Sequence, residues 1–149
     1  MKKIYQSTID KGSGDCMRAV VASLYDLELL DVPNFIEFKE NCHIHMMDFF
    51  IDKGHEPCYI YKHNYTTEQM IEIAKICGGI NGYFYASVPS QTYEGGSHAV
   101  IVDSDLNIVH DPNPNQRCLS LTKDDVEIIL VVGDFIIPDH IKMKHEILN

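Results

Sequence analysis

The chain has 149 residues, a formal net charge of −10 and a pI near 5.1. This length predicts a single domain spanning 1–149, because domains most commonly have about 100–150 residues. The apolar share of 45% and the charged share of 23% are typical of a globular protein and exclude a disordered chain. An acidic chain lacks the surplus of Lys and Arg that phosphate backbones require, so we expect no nucleic-acid partner.

Membrane and export signals are also missing from the sequence pattern. No apolar run reaches the roughly 18 residues that a spanning helix needs, so we expect no membrane partner. Met1–Gln6 carries two lysines but no apolar stretch of the kind that a signal peptide has. The five cysteines form an odd set without CxxC pairs, which indicates reduced thiols, four of them structural. These features predict a cytoplasmic protein.

The first half of the chain predicts a short strand followed by two helices. The strand is expected at 3–7. Asp15 is a good N-cap residue, and apolar residues at positions 17, 20, 21 and 24 repeat at helical spacing. A helix from Cys16 to about Tyr25 follows from that pattern. Asn34 is suited to cap a second helix over 35–53, although the polar stretch 42–45 interrupts its apolar pattern.

The second half of the chain is richer in strands. A third helix begins at Thr66 or Thr67 and ends at Gly78-Gly79, since glycine commonly stops a helix. Strands are predicted at 57–61, 82–88, 98–102, 106–110 and 127–136. Because helices come mainly first and strands mainly last, the predicted fold class is α+β with an antiparallel sheet.

A predicted hairpin joins His98 to Asp111. If Ser104-Asp105 forms a tight turn, positions whose numbers sum to 209 oppose one another, and His98 faces Asp111. Opposed residues have Cβ atoms about 5 Å apart, which lets a carboxylate hold an imidazole nitrogen. A slip of one residue would place the two on opposite faces. His110 has the other parity, so we expect a structural or exposed position for it.

Cys16 gains a chemical role from this pair. A thiol becomes a strong nucleophile when a helix N-terminus and a nearby imidazole favour its thiolate. A carboxylate behind the imidazole fixes its tautomer and stabilises its charged form. Cys16, His98 and Asp111 are therefore a candidate catalytic triad, provided that the helix starts at the His98 edge of the sheet. Asn113 is the alternative orienting residue, and the hairpin register favours Asp111.

The residues around this triad carry a resemblance to a known family. Gly14-Asp15-Cys16, Ser97-His98-Ala99-Val100-Ile101-Val102 and His110-Asp111-Pro112 resemble the papain-like cysteine peptidases, most closely their C39-like branch. The blocks GDCMRAVVASLYDLELLDVPNF and GGSHAVIVDSDLNIVHDPNPN also resemble small proteins of bacteriophage genomes. The resemblance implies a papain-like fold, with the cysteine helix packed on a C-terminal antiparallel sheet.

The resemblance further implies an oxyanion-binding glutamine upstream of the cysteine, which here is Gln6. Such an amide can contribute about 3 kcal/mol to transition-state stabilisation. The implied function is a thiol hydrolase that acts on an amide bond, either a peptide bond or a glutamine side chain. Its partner would be a protein or peptide substrate, including a host factor in the host cytoplasm if the chain is phage-encoded.

A second hypothesis belongs to another functional class. Gln6 lies farther upstream than the family usually shows, and Met17 stands where a glycine often follows the catalytic cysteine. These departures support a non-catalytic phage-encoded binding or inhibitory protein on the same scaffold.

Other polar residues have weaker claims. Cys42, His43, His45 and Asp48 have some metal-ligand character, but without a cysteine pair we expect neither a metal nor a cofactor. Tyr93, in the polar loop 90–96, is a candidate for lining a substrate groove. Asp15 is expected to act as a helix cap rather than as a catalytic acid.

Overall fold

The computed structural model describes residues 1–9, 14–92, 94–133 and 136–144. The α-helices within these ranges are α1, Cys16–Leu24, α2, Cys42–Asp52, and α3, Thr67–Cys77. The strands are β1, Pro57–Tyr61, β2, Phe84–Pro89, β3, Ser97–Val102, β4, Ile108–His110, and β5, Ile128–Val132. Short 3-10 segments lie at Leu29–Asp31, Phe35–Asn41, Arg117–Ser120 and Lys123–Asp125.

All five strands belong to one antiparallel sheet, in the order β1-β5-β2-β3-β4. The α+β class with an antiparallel sheet is thereby confirmed. The strands β2 and β3 form the longest ladder, in which Tyr85 pairs with Ile101 and Val88 pairs with His98. Tyr85 also pairs with Leu130 of β5, so β2 lies between two neighbours.

Each face of the sheet is covered by its own apolar core. On one face, α1 and α2 pack over Tyr85, Ile101 and Leu130. On the other face, α3 packs over Phe84, Val100 and their neighbours. The side chains of a strand alternate between faces, so strands covered on both sides consist almost entirely of buried residues. This explains why β2 and β3 have nearly continuous apolar sequences.

Helix α1 is buried on almost all sides, whereas its stripe of apolar residues predicts that only one face is buried. Its residues Ala19 to Leu24 are at most 1% exposed. The sheet covers one side, and the N-terminal segment covers another, where the Ile4 amide donates to Ser23 Oγ at 2.9 Å. A helix that is apolar on most sides is stable only when it is enclosed. The N-terminal segment is therefore part of the core around α1.

This N-terminal segment is not the strand that the sequence predicts at 3–7. The Gln6 amide donates to the Pro112 carbonyl at 2.9 Å, and His110 Nε2 contacts the Ile4 carbonyl at 2.7 Å. These bonds tie the segment to β4 and the turn after it without forming a ladder. His110 is 2% exposed, which confirms its structural position.

Asp15 occupies the position before α1, but its side chain does not cap the helix. Its carboxylate is 1% exposed and accepts hydrogen bonds from the Ser7 amide and hydroxyl and from the Thr8 amide. The prediction of a side-chain helix cap was wrong, because the N-terminal segment supplies donors that compete for the carboxylate. Asp15 instead fastens that segment to the start of α1.

The predicted second helix over 35–53 is also interrupted. Phe35–Asn41 is a 3-10 segment in which Lys39 has φ +54°, and α2 begins only at Cys42. A lysine in the left-handed region breaks the α-helical hydrogen-bond pattern. The polar stretch that disturbed the sequence pattern is thus the first turn of a separate helix.

The β3–β4 hairpin has a different register from the predicted one. Ile101 pairs with His110 and Val102 pairs with Ile108, with an irregularity between these pairs. Asp103 replaces the tight turn by a wider loop, since its carboxylate accepts the amides of Asp105 and Asn107. The predicted register, in which paired numbers sum to 209, was therefore wrong, and Asp111 lies just beyond the last ladder pair.

The remaining boundaries are close to the predictions. β1 and α3 begin and end where the sequence indicates, and Thr66 caps α3 by accepting the Gln69 amide. β5 ends at Val132, while positions 134 and 135 of the predicted strand lie outside the described residues. Within the described part of the chain, no helix is both long and apolar enough to cross a membrane.

Replacement of Asp15 should remove the hydrogen bonds that hold the N-terminal segment at the start of α1. Asp15→Ala leaves the donors of Ser7 and Thr8 without their buried acceptor, and hydrogen bonds to charged groups contribute about 1.5–3 kcal/mol each. We expect the free energy of unfolding in urea to fall by about 2–4 kcal/mol. Asp48→Ala, at an exposed position of α2, is the control and should change it by less than about 0.5 kcal/mol. Equal losses in both variants would contradict this role of Asp15.

Candidate active site

Cys16 is the first residue of α1 and is half-buried. The helix packs against β3 and β2 with its N-terminus beside the start of β3, which carries His98. The first amides of a helix have no intrahelical acceptor, so they favour negative charge at this end. The packing that the candidate triad requires is present.

A cleft of about 270 Å³ opens between α1, the start of α2 and the sheet. Cys16 and His98 both line it, with Met17 and Ile36 among the apolar residues of the wall. The remaining lining residues are Gly14, Cys42, His43, Tyr85, Ser87, Ser97, Ala99 and Ile128. An acyl group that enters this space meets the thiol and the imidazole together.

His98 is held from behind by Asp111. Nε2 of His98 lies 2.7 Å from Oδ1 of Asp111, and the side chain of Asp111 is fully buried. Because Nε2 contacts the carboxylate, Nδ1 is the nitrogen left for Cys16. The predicted contact exists although the predicted register does not, since His98 near the start of β3 reaches the residue that follows β4.

The environment of His98 favours the charged imidazolium. Burial by itself lowers its pKa, but the hydrogen bond with Asp111 and the interactions with Cys16 outweigh burial and raise the pKa to about 9. A protonated imidazole beside a thiol favours the thiolate. The His98 imidazolium can therefore act as a proton donor beside the Cys16 sulfur at neutral pH.

Asp111 remains ionised because several donors surround it. Its Oδ1 accepts the Asn113 amide and its Oδ2 accepts the Cys118 amide, both at 2.9 Å. Burial raises the pKa of Asp111, yet the hydrogen bonds from His98 and these amides lower it below its usual value. Asn113 thus donates its backbone amide to Asp111, and Asp111 is the residue whose side chain contacts His98.

Gln6 lies near this group without being part of the cleft wall in the described structure. Its Nε2 donates to the Thr8 carbonyl at 3.0 Å, and its Oε1 is buried without a partner. A primary amide has two N–H groups, so one remains after the bond to Thr8. The oxyanion role of Gln6 stays a prediction.

Several residues of the site were not assigned to it from the sequence. Tyr85 and Ser87 share one face of β2 and line the cleft, and period-2 alternation in that strand was the signal available for them. Cys42 lines the cleft, and burial is the main reason that its pKa is raised. Cys118 lies behind Asp111, and burial with the charge of Asp111 raises its pKa to about 12.

The four residues with metal-ligand character, Cys42, His43, His45 and Asp48, do not form one cluster. Cys42 and His43 line the cleft, whereas His45 stacks on Phe38 and borders another depression with Asp48. Donor atoms of His98, Asp111 and Cys118 lie within 4.8 Å of one another, but hydrogen bonds already occupy both oxygens of Asp111. These three residues therefore form a hydrogen-bonded cluster around Asp111 rather than a set of free metal ligands. Tyr93 lies outside the described residues.

Comparisons of the chain with family models, with curated proteins and with solved structures each gave no match. The interpretation of the site therefore depends on its own geometry and chemistry.

The pKa of His98 can be tested directly by NMR titration of its ring protons. We expect a midpoint near 9 in the wild-type protein and a lower one in Asp111→Asn, because removal of the carboxylate leaves burial to oppose the charge. Cys16→Ser should also lower the midpoint, since the hydrogen bond and the charge interaction with Cys16 raise the His98 pKa as well.

Asp105→Asn is the matched control for this titration. Asp105 is an exposed carboxylate of the same hairpin that pairs with Lys75. This variant should keep the His98 midpoint near 9. A wild-type midpoint below 6.5, or one that Asp111→Asn leaves unchanged, would contradict the pairing described above.

Proposed function

We propose that the protein is a small papain-like cysteine hydrolase, closest to the C39-like branch, that cleaves an amide bond. The observation that carries this proposal is a half-buried imidazole joined to a buried carboxylate on one side and facing a half-buried thiol at a helix N-terminus on the other. A thiol, an imidazole and a carboxylate together in a cleft are the groups that nucleophilic catalysis by a cysteine requires.

The proposed reaction begins with the thiolate of Cys16. Its sulfur adds to the carbonyl carbon of the substrate, and the carbonyl π electrons move to oxygen. The intermediate collapses to a thioester as protonated His98 gives its proton to the leaving nitrogen. Neutral His98 then takes a proton from water, whose oxygen attacks the thioester, and collapse of this intermediate releases the carboxylic acid and restores the Cys16 thiolate beside protonated His98. Asp111 keeps His98 oriented throughout.

The substrate proposed here is a protein or peptide that offers either a backbone amide or a glutamine side chain. Both have the same reacting group, and the acceptor that reaches the thioester decides between hydrolysis and acyl transfer. The sequence resemblance to small bacteriophage proteins extends the proposal to a host factor as substrate in the host cytoplasm. Gln6 is proposed as an oxyanion donor through its remaining N–H group.

The reactivity of the thiols is the first test. At pH 7, iodoacetamide should alkylate Cys16 at least about tenfold faster than Cys42, because a neighbouring imidazolium favours the thiolate. Cys42 is a matched internal control, since it is half-buried in the same cleft and its pKa is raised. Mass spectrometry of peptides after short exposures gives both rates.

His98→Gln should remove this advantage of Cys16 while leaving the rate of Cys42 unchanged within about twofold. Equal rates for Cys16 and Cys42 in the wild-type protein would overturn the proposal of an activated nucleophile.

The amide chemistry is tested by incubating a bacterial lysate with the wild-type protein or with Cys16→Ala. We expect new peptide termini or deamidated glutamines only with the wild-type protein, as found by mass spectrometry. Identical products in both samples would count against a hydrolase. Recovery of the same lysate protein bound to both forms would then favour the non-catalytic binding function.

A further inference from the structure

The hydroxyl of Tyr85 is a buried polar group that the proposed triad does not use. Tyr85 is 4% exposed, and its ring packs in the core between the sheet and α1. No described residue forms a hydrogen bond with its hydroxyl. A buried tyrosine hydroxyl usually has a partner, so an unpaired one indicates a group that arrives from outside the chain.

Other tyrosines on the same side of the sheet differ in this respect. The Tyr25 hydroxyl lies 2.9 Å from Nδ1 of His55, and the Tyr59 hydroxyl lies 2.6 Å from Nδ1 of His43. Both hydroxyls are satisfied inside the protein although both side chains are less buried than Tyr85. The unpaired hydroxyl of Tyr85 is therefore a local feature of the cleft.

The Tyr85 hydroxyl is in contact with the cleft. Within the described ranges, the buried side-chain atoms that are completely enclosed and unpaired are Gln6 Oε1 and Asn34 Oδ1. The Tyr85 oxygen is unpaired but is not one of these enclosed atoms. Because Tyr85 lines the cleft, the open space that its oxygen meets is the space beside Cys16.

The thiols of Cys16 and Cys42 line the same cleft as Tyr85. Burial, followed by the charges of Tyr59, Cys16 and Cys42, raises the pKa of Tyr85 well above its usual value. The hydroxyl is therefore protonated at neutral pH and is available as a hydrogen-bond donor. A donor in a water-poor cleft is most effective where negative charge develops during the reaction.

We propose that the Tyr85 hydroxyl donates a hydrogen bond to the carbonyl oxygen of the substrate and stabilises the oxyanion that forms when Cys16 attacks. This inference rests on the proposed hydrolase function. Tyr85 would be a second side-chain donor to the oxyanion, on the cleft floor, in addition to Gln6. Tyr85 would not transfer its proton. When Cys16 attacks, the C=O π electrons move to oxygen, and the Tyr85 O–H group donates a hydrogen bond to that oxygen. This hydrogen bond weakens again when the intermediate collapses to the thioester.

Two reagents separate this role from simple thiol reactivity. Acylation of Cys16 by p-nitrophenyl acetate passes through an oxyanion, and released p-nitrophenolate reports its rate. Alkylation by iodoacetamide displaces iodide at a saturated carbon and forms no oxyanion. Tyr85→Phe should slow acylation about 100-fold, as removal of an oxyanion donor does in other enzymes. Alkylation of Cys16 should change less than about twofold, because the thiolate and its pairing with His98 remain.

Tyr25→Phe is the matched control, since it removes a core hydroxyl whose partner is His55. It should leave both rates unchanged, and wild-type alkylation in Tyr85→Phe also shows that this variant is folded. Equal slowing of acylation in both variants would overturn the inference, since core packing would then be the cause. An unchanged acylation rate in Tyr85→Phe overturns it as well, and the alternatives Gln6→Ala and Ser87→Ala show which donor acts instead.

Failure of the hydrolase proposal has a different signature in this experiment. It appears in the wild-type protein, as acylation that is no faster at Cys16 than at Cys42 and is unaffected by His98→Gln. Failure of the Tyr85 inference appears only in the ratio between wild type and Tyr85→Phe.

Discussion

The packing of α1 against β2 and β3 is the constraint on which the site depends. The helix is enclosed on nearly every side, by the sheet, by the N-terminal segment and by the elements before α2. An apolar helix gains free energy only by removing that surface from water, so its position over the sheet is fixed by burial. Its N-terminus is thereby placed at the start of β3, where Cys16 meets His98.

The electrostatics of the site follow from a buried carboxylate that has enough donors. Two backbone amides and the imidazole satisfy Asp111, which would otherwise be driven toward its neutral form by burial. An ionised Asp111 in turn keeps His98 charged in spite of its own burial. The segment after β4 is thus as important to the site as the side chains, because its turn supplies the Asn113 amide and its 3-10 segment supplies the Cys118 amide.

The cleft floor shows how strand alternation decides which side chains of β2 face the cleft. β2 is covered on both faces, so its residues alternate between the core under α3 and the space beside α1. Tyr85 and Ser87 fall on the second face and line the cleft. The alternation itself is visible in the sequence, but which face would border an open space is not, because that depends on where α1 and α2 leave a gap.

Local signals predicted α1, α3 and β1 well because periodicity and capping act within a few residues. The same signals failed where another group competed. The Ser7 and Thr8 donors took the Asp15 carboxylate, and the Asp103 carboxylate accepted two loop amides and changed the hairpin register. The pairing of His98 with Asp111 survived that error because Asp111 lies beyond the last ladder pair, where its side chain can still reach His98 near the start of β3.

The sequence by itself determined the α+β class, the helix that begins at Cys16 and the hairpin that carries His98 and Asp111 at its open end, all of which depend on short-range pattern. Only the tertiary structure decided that Cys16 and His98 share one cleft, that backbone amides hold Asp111 ionised, and that Tyr85 lines the same cleft. These three results require residues far apart in the chain to be packed together, and burial of α1 is the physical cause that brings Cys16 to the sheet.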